Sequence, residues 1–130
     1  MPAKYIVKIK TYFAAAHNLR RYDGACSGIH GHNWHVEVAV EARKLDNLGM
    51  VIDYDILKEI TEKNIKIVDH SYLNELEHFK DCNPTAENVA EFLYKNIQKD
   101  INNFKNSNDI KLKYINICET NTNYVNYSED

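Results

Sequence analysis

Residues 26–42, CSGIHGHNWHVEVAVEA, run from a loop into a strand and set three histidines at its mouth. From residue 32 onward apolar and polar positions alternate. Trp34, Val36, Val38 and Val40 share one parity; Asn33, His35, Glu37 and Glu41 share the other. Strand side chains point alternately to the two faces, so the pattern predicts a strand over 32–42 with one face buried. The stretch KYIVKIKTYFAAAH at 4–17 reads the same way. Tyr5, Val7, Ile9, Thr11, Phe13 and Ala15 lie on one face, with Lys4, Lys8 and Lys10 on the other. Asn18, Asp23, Gly24, Ser27 and Gly28 mark the connection as a loop.

Further along, VIDYDILKEITEKNIKIVDH (51–70) suits a helix, with Asp53 as N-cap and Ile56, Ile60 and Ile67 near helical spacing. Residues 69–84 read as a loop. NPTAENVAEFLYKNIQKDI (83–101) opens a second helix at Thr85, with Val89, Phe92, Leu93, Ile97 and Ile101 as its apolar stripe. Two short β-like runs, IKLKYINICET and NYVNY, end the chain. The resulting order, ββααββ, argues for an α+β fold with an antiparallel sheet in a single domain over residues 1–130.

Composition narrows the partners. At 130 residues the chain can bury a core without staples. Its net charge of −3, with mixed signs, provides no basic field for nucleic acid. No apolar stretch approaches the length of a membrane helix, and lysines interrupt the opening MPAKYIVKIK where a signal peptide would be apolar, so a cytoplasmic location is expected. Three widely spaced cysteines, Cys26, Cys82 and Cys118, read as reduced thiols, and no nucleotide-loop motif is present.

The histidines point to chemistry. His30 and His32 are two apart and face one way, with Cβ atoms roughly 7 Å apart. His17 continues the parity of Phe13 and Ala15, so antiparallel pairing of the two strands brings it to the same face. Two readings of this set stand: imidazoles at a strand end that meet water, or ligands of a metal. Three neutral imidazoles with a vacant fourth position form the catalytic rather than the structural zinc pattern. Cys26 lies in the loop beside them, where a cation would favour its thiolate, or it is a small filler, the reading given to Cys82 and Cys118. His35 has the opposite parity, and His78 sits in a polar stretch. Asp69 precedes His70, a dyad for acid–base work if a turn lets the two meet. Glu119 interrupts the apolar parity of Ile115 and Ile117, and a carboxylate there needs a partner: an arginine, or a ligand with adjacent N–H donors.

FAAAH, C-x-x-x-H-G-H-N, VIDY, DHSYLN, NPTAEN and CET occur here in an order and spacing that resembles the 6-pyruvoyl-tetrahydropterin synthase superfamily. The likeness covers nearly the whole chain. The three-residue gap between Cys26 and His30 is most similar to the bacterial 6-carboxy-5,6,7,8-tetrahydropterin synthases of queuosine and 7-deazaguanine biosynthesis. This resemblance implies a T-fold, a four-stranded antiparallel sheet with two helices on one face, assembled as a homohexamer of two trimers. It implies zinc on His17, His30 and His32, Cys26 as general base, Asp69 and His70 as the partner dyad, and Glu119 as the pterin anchor. The implied reaction is that of a carbon–carbon lyase on a small-molecule pterin triphosphate, 7,8-dihydroneopterin triphosphate, releasing acetaldehyde and triphosphate. Arg20 and Arg21, beside the histidine loop, are either triphosphate contacts or a solvated pair. The alternatives are the pyruvoyl-forming reaction on the same fold, which eliminates triphosphate without carbon–carbon cleavage, and a zinc-binding protein without catalysis.

Overall fold

Alternation over thirteen residues in each of two segments produces the longest pairing in the molecule. In a computed structural model, which describes residues 3–21, 24 and 27–130, β1 (Tyr5–His17) and β2 (His30–Ala42) run antiparallel along their full lengths, from Tyr5 opposite Ala42 to His17 opposite His30. Helix α1 (Tyr54–Val68) follows, its first turn capped by the Asp53 carboxylate, which accepts from the Asp55 N–H at 2.7 Å. A short strand β3 (Ser71–Tyr72) and two single 3₁₀ turns lead to α2 (Ala86–Asn103), capped by the Thr85 hydroxyl. Strands β4 (Lys111–Cys118) and β5 (Tyr124–Tyr127) complete a sheet of order β3-β1-β2-β4-β5.

The α+β class and the two helices agree with the sequence reading, and the sheet corrects it. There are five strands of mixed orientation in the order ββαβαββ, rather than four antiparallel strands, because β3 lies parallel to the end of β1. With two residues, β3 shows no alternation and sits inside the segment read as loop. The backbone N–H of Ala14 donates to the Asp69 carboxylate at 2.9 Å, and the His70 N–H donates to the Ala14 carbonyl. The helix therefore returns its chain to the edge of β1 directly beside the histidines.

Both helices cover one face, where Phe13, Trp34, Val36, Val38, Val40 and Ile115 share a core with Leu57 and Ile65 of α1 and Val89, Leu93 and Ile97 of α2. Fully burying side chains such as Val38 or Leu93 contributes about 1.5–3 kcal/mol each. Within α1 the buried positions are Leu57, Thr61, Asn64, Ile65 and Val68. Ile67, expected on the apolar stripe, is 45% exposed instead, because two polar residues occupy the inner side. Asn64 justifies its place by donating to Asp100 of α2 at 2.9 Å, tying the helices together. A bulge lets Leu112 and Ile115, three apart, both face inward, with the extra residue opposite Ala39 and Val40. On the opposite face Glu37 accepts from Tyr114 at 2.8 Å and Asn116 at 3.0 Å. No helix among the described residues is long and apolar enough to cross a membrane.

Candidate metal centre

Register decides where the imidazoles meet. His17 ends β1 directly opposite His30, the first residue of β2, and His32 lies two residues further on the same face. The three rings cluster with centroids 4.5 Å (His17–His30), 4.8 Å (His30–His32) and 5.5 Å (His17–His32) apart. They rest on the fully buried Trp34, whose indole N–H donates to the Ala15 carbonyl at 3.2 Å and whose ring stacks on Phe13.

Two of the rings are held by backbone carbonyls. His17 Nδ1 donates to Pro84 O, and His30 Nδ1 donates to Gly28 O, both at 2.8 Å. With the proton committed to Nδ1, a neutral imidazole presents a bare lone pair at Nε2, the arrangement that orients histidine ligands. The Glu119 carboxylate, one residue past β4 and in step with Ile115 and Ile117, reaches the same point. Its Oε1 is 2.9 Å from His17 Nε2 and 3.3 Å from His32 Nε2. Although these separations suit ion pairs, both nitrogens are buried without a hydrogen-bond partner. A lone pair facing a carboxylate oxygen is repulsive unless a cation or a proton lies between them. One donor atom from each of His17, His30, His32 and Glu119 lies within 4.8 Å of all the others, so this His/Glu cluster can hold a metal ion. The fourth corner, which the sequence reading leaves vacant, has a carboxylate standing at it.

Electrostatics favour the ligating protonation states. The close His17 imidazole holds the Glu119 carboxyl below its usual range, against its partial burial and with help from His32 and His30. Burial, followed by the neighbouring imidazoles, pushes His32 down, opposed by Glu119.

On the outer face of the same strand ends lies a shallow, open depression of about 460 Å³, floored by Ala14, Ala16 and Gly31 and bounded by His32 and His70. His70 takes the left-handed backbone conformation (φ 54°) that turns its side chain outward, 84% exposed. Asp69 and His70 do come together, with Oδ2 and Nε2 3.6 Å apart, longer than a hydrogen bond, while the other carboxylate oxygen serves Ala14. The reading of Cys26 falls outside the described residues. Cys82 and Cys118 are half-buried free thiols, and Cys82 packs against the edge of the core. His35 and His78 are exposed and away from the cluster, as their positions in the sequence suggest.

A set of asparagines escaped the sequence reading. Asn74 and Asn18 clasp reciprocally: the Asn18 N–H donates to the Asn74 amide oxygen (3.0 Å) and the Asn74 amide donates to the Asn18 carbonyl (2.9 Å). Asn83 clasps Arg20 in the same way, at 2.8 and 3.1 Å. The Arg20 guanidinium, one of two arginines weighed as phosphate contacts, donates to the carbonyls of Cys82 and Asn74. Together these bonds fix the segment whose Pro84 carbonyl orients His17. The available signal was Asn itself, whose amide supplies a donor and an acceptor and so mimics a strand partner.

Fold and site define an α+β domain with a His/Glu cluster at the sheet's end that can hold a metal ion. Residues 6–130 match the model of the 6-pyruvoyl tetrahydropterin synthase family, and the chain belongs to this family of tetrahydropterin synthases. It is 30% identical over 131 residues to 6-carboxy-5,6,7,8-tetrahydropterin synthase of Bacillus subtilis, covering 97% of this chain and 86% of that protein. Another relative, the enzyme of the same name from Rickettsia conorii, is 33% identical over 102 residues, 65% of this chain and 74% of its own. The solved structure of Caenorhabditis elegans 6-pyruvoyl tetrahydropterin synthase superposes with a TM-score of 0.83 at 25% identity, covering 98% of this chain and 97% of the other.

Proposed function

We propose that this chain is a 6-carboxy-5,6,7,8-tetrahydropterin synthase that converts 7,8-dihydroneopterin triphosphate to 6-carboxytetrahydropterin, with release of acetaldehyde and triphosphate. The observation that carries the reading is the convergence of three imidazoles and a carboxylate at the end of β1 and β2, close to where His70 bonds the edge of β1. Relatives with that activity in their names support it. Imidazole nitrogens with a carboxylate oxygen are a zinc donor set, held by His17, His30 and His32. When bound, zinc supplies Lewis acidity that acidifies the substrate's side-chain hydroxyls.

The remaining chemistry belongs to the chain. Glu119 accepts paired N–H donors of the pterin ring and so fixes which end of the substrate faces the imidazoles. The small side chains of Ala14, Ala16 and Gly31, on the outer face of the same strand ends, leave room for the rest of the substrate. Cys26 acts as general base toward the side chain, and His70, whose Nε2 is the nitrogen on the Asp69 side, moves a proton through Nδ1. The triphosphate leaves, a water molecule adds its oxygen at C1′, and the C1′–C2′ bond breaks, so that C1′ becomes the ring carboxylate and C2′–C3′ depart as acetaldehyde. The outer edge of β1 is unpaired except at Ala15 and Ala16 among the described residues, and an exposed sheet edge invites coverage by further copies. The homohexamer that the family resemblance implies would cover that edge, and it is included in the proposal.

Incubation with 7,8-dihydroneopterin triphosphate, followed by mass analysis of the pterin and assay for acetaldehyde, tests the proposal. A carboxylated tetrahydropterin and acetaldehyde are expected. A pyruvoyl product without acetaldehyde would replace the proposal with the sister reaction, which the likeness to the nematode structure favours. Absence of turnover in the zinc-loaded protein would favour the non-catalytic reading, to which the carboxylate at the fourth corner lends weight, since structural sites close with four ligands.

A further inference from the structure

Building on the metal centre proposed above, we infer that Glu119 is an exchangeable fourth ligand. Its carboxylate completes the coordination shell in the substrate-free chain and leaves it for the N–H donors of the incoming ring. The sequence reading gives Glu119 a single task, to anchor the ring. The structure places the same carboxylate among the imidazoles. Donor atoms around a four-coordinate ion with bonds of 2.0–2.1 Å stand about 3.3–3.4 Å apart. Oε1 meets that spacing to His32 at 3.3 Å and is somewhat closer to His17 at 2.9 Å. The two Nε2 atoms it faces have no other partner.

The four arms differ in freedom. His17 and His30 are each locked through Nδ1 to a carbonyl, of Pro84 and of Gly28, and the His32 ring is packed edge-on among Trp34 and the other two imidazoles. Glu119 lies one residue beyond β4, in a turn secured without its side chain. Its own N–H donates to the Asn123 carbonyl at 3.1 Å, and the Thr120 hydroxyl accepts from the N–H of Asn123 at 3.2 Å. Rotation about the Glu119 side-chain bonds therefore breaks no strand pairing. Among the described residues, the site has three fixed arms and one that can swing. A ring edge with two adjacent N–H donors gives the carboxylate two charge-assisted hydrogen bonds in exchange for one metal bond. A substrate with that edge thus opens the corner it needs, and water alone, lacking the paired donors, does not.

Metal-free protein titrated with cobalt(II) tests this, comparing the unsubstituted chain with Glu119→Gln and Glu119→Asp. Folding is checked by circular dichroism and affinity is measured by chelator competition. The unsubstituted chain is expected to show the intense visible bands of a four-coordinate ion. Glu119→Gln should bind cobalt at least about tenfold more weakly, with weaker and shifted bands. Glu119→Asp, one methylene too short to reach, should behave likewise. Adding 7,8-dihydroneopterin, which lacks the triphosphate, should move the bands of the unsubstituted chain toward those of Glu119→Gln. Folded variants with unchanged affinity and bands overturn the inference and leave the metal centre standing. Bands altered by the substitutions but unmoved by the pterin make Glu119 a fixed ligand and overturn the exchange. Failure of the folded, unsubstituted chain to bind cobalt overturns the metal centre as well.

Discussion

Gly31 separates two histidines and carries no side chain, yet the protein's own packing does not demand that. A Cβ placed there would meet only the Ala15 carbonyl, at 3.9 Å, an ordinary contact. The space it leaves belongs to the depression beside His32 and His70. Gly31→Val is therefore expected to fold, with a melting temperature at or above the original because valine suits a strand. It should lose at least about tenfold in kcat/KM through a raised KM, since a misplaced substrate loses the gains of orientation. Steady-state kinetics beside thermal denaturation check this; unchanged KM would mean the substrate does not cross that floor. At this scale the sequence was informative about the imidazoles, because parity alone predicted their common face. It was less informative about Glu119, whose misplaced polarity was visible while its distance from His17 was not.

Elements differ in how legibly they were written. The long strands β1 and β2 and the capped helices declare themselves through period and capping residues: Asp53 and Thr85 cap α1 and α2 as the sequence suggests. The strand β3 does not, because two residues cannot alternate and its place is set by bonds from Asp69 and His70 to Ala14. The same holds for the segment behind His17, organised by amide clasps rather than apolar spacing. Asn83→Ala removes both bonds to Arg20 and should cost about 1–3 kcal/mol of stability. The looser Pro84 carbonyl should weaken metal affinity roughly tenfold, as loss of an orienting partner does. Denaturant unfolding and chelator competition measure the two effects separately. At the other edge, Tyr127 of β5 donates to Glu129 at 2.5 Å, and Glu129 pairs with Lys95 of α2 at 3.1 Å. The Glu129 carboxylate, with burial adding to it, pushes the Tyr127 phenol up to about 12. A raised folded value means this contact stabilises fully below the unfolded phenol's value of about 10 and is lost as pH rises through about 12. Ultraviolet titration should show Tyr94, raised chiefly by burial, and Tyr127 as late phenolates, and the Tyr127 one should move toward the ordinary range in Glu129→Gln.

At the scale of the whole molecule, one apolar core fastens both helices to one face of the sheet, and the chemistry gathers at the end where β1 finishes and β2 begins. The α+β class, both helices and the face that is buried were legible because each depends on patterns longer than a turn. The mixed sheet was not, since its parallel neighbour depends on where α1 returns the chain. The alignment of β1 with β2 has one more consequence. Strand side chains repeat every two residues, so sliding β2 by a single position would turn His30, His32 and Trp34 outward and bring Gly31, Asn33 and His35 to the face the helices cover. Only a correctly aligned hairpin can capture the ion, so metal loading proofreads the folding of the two longest strands, and a slipped chain announces itself by staying empty.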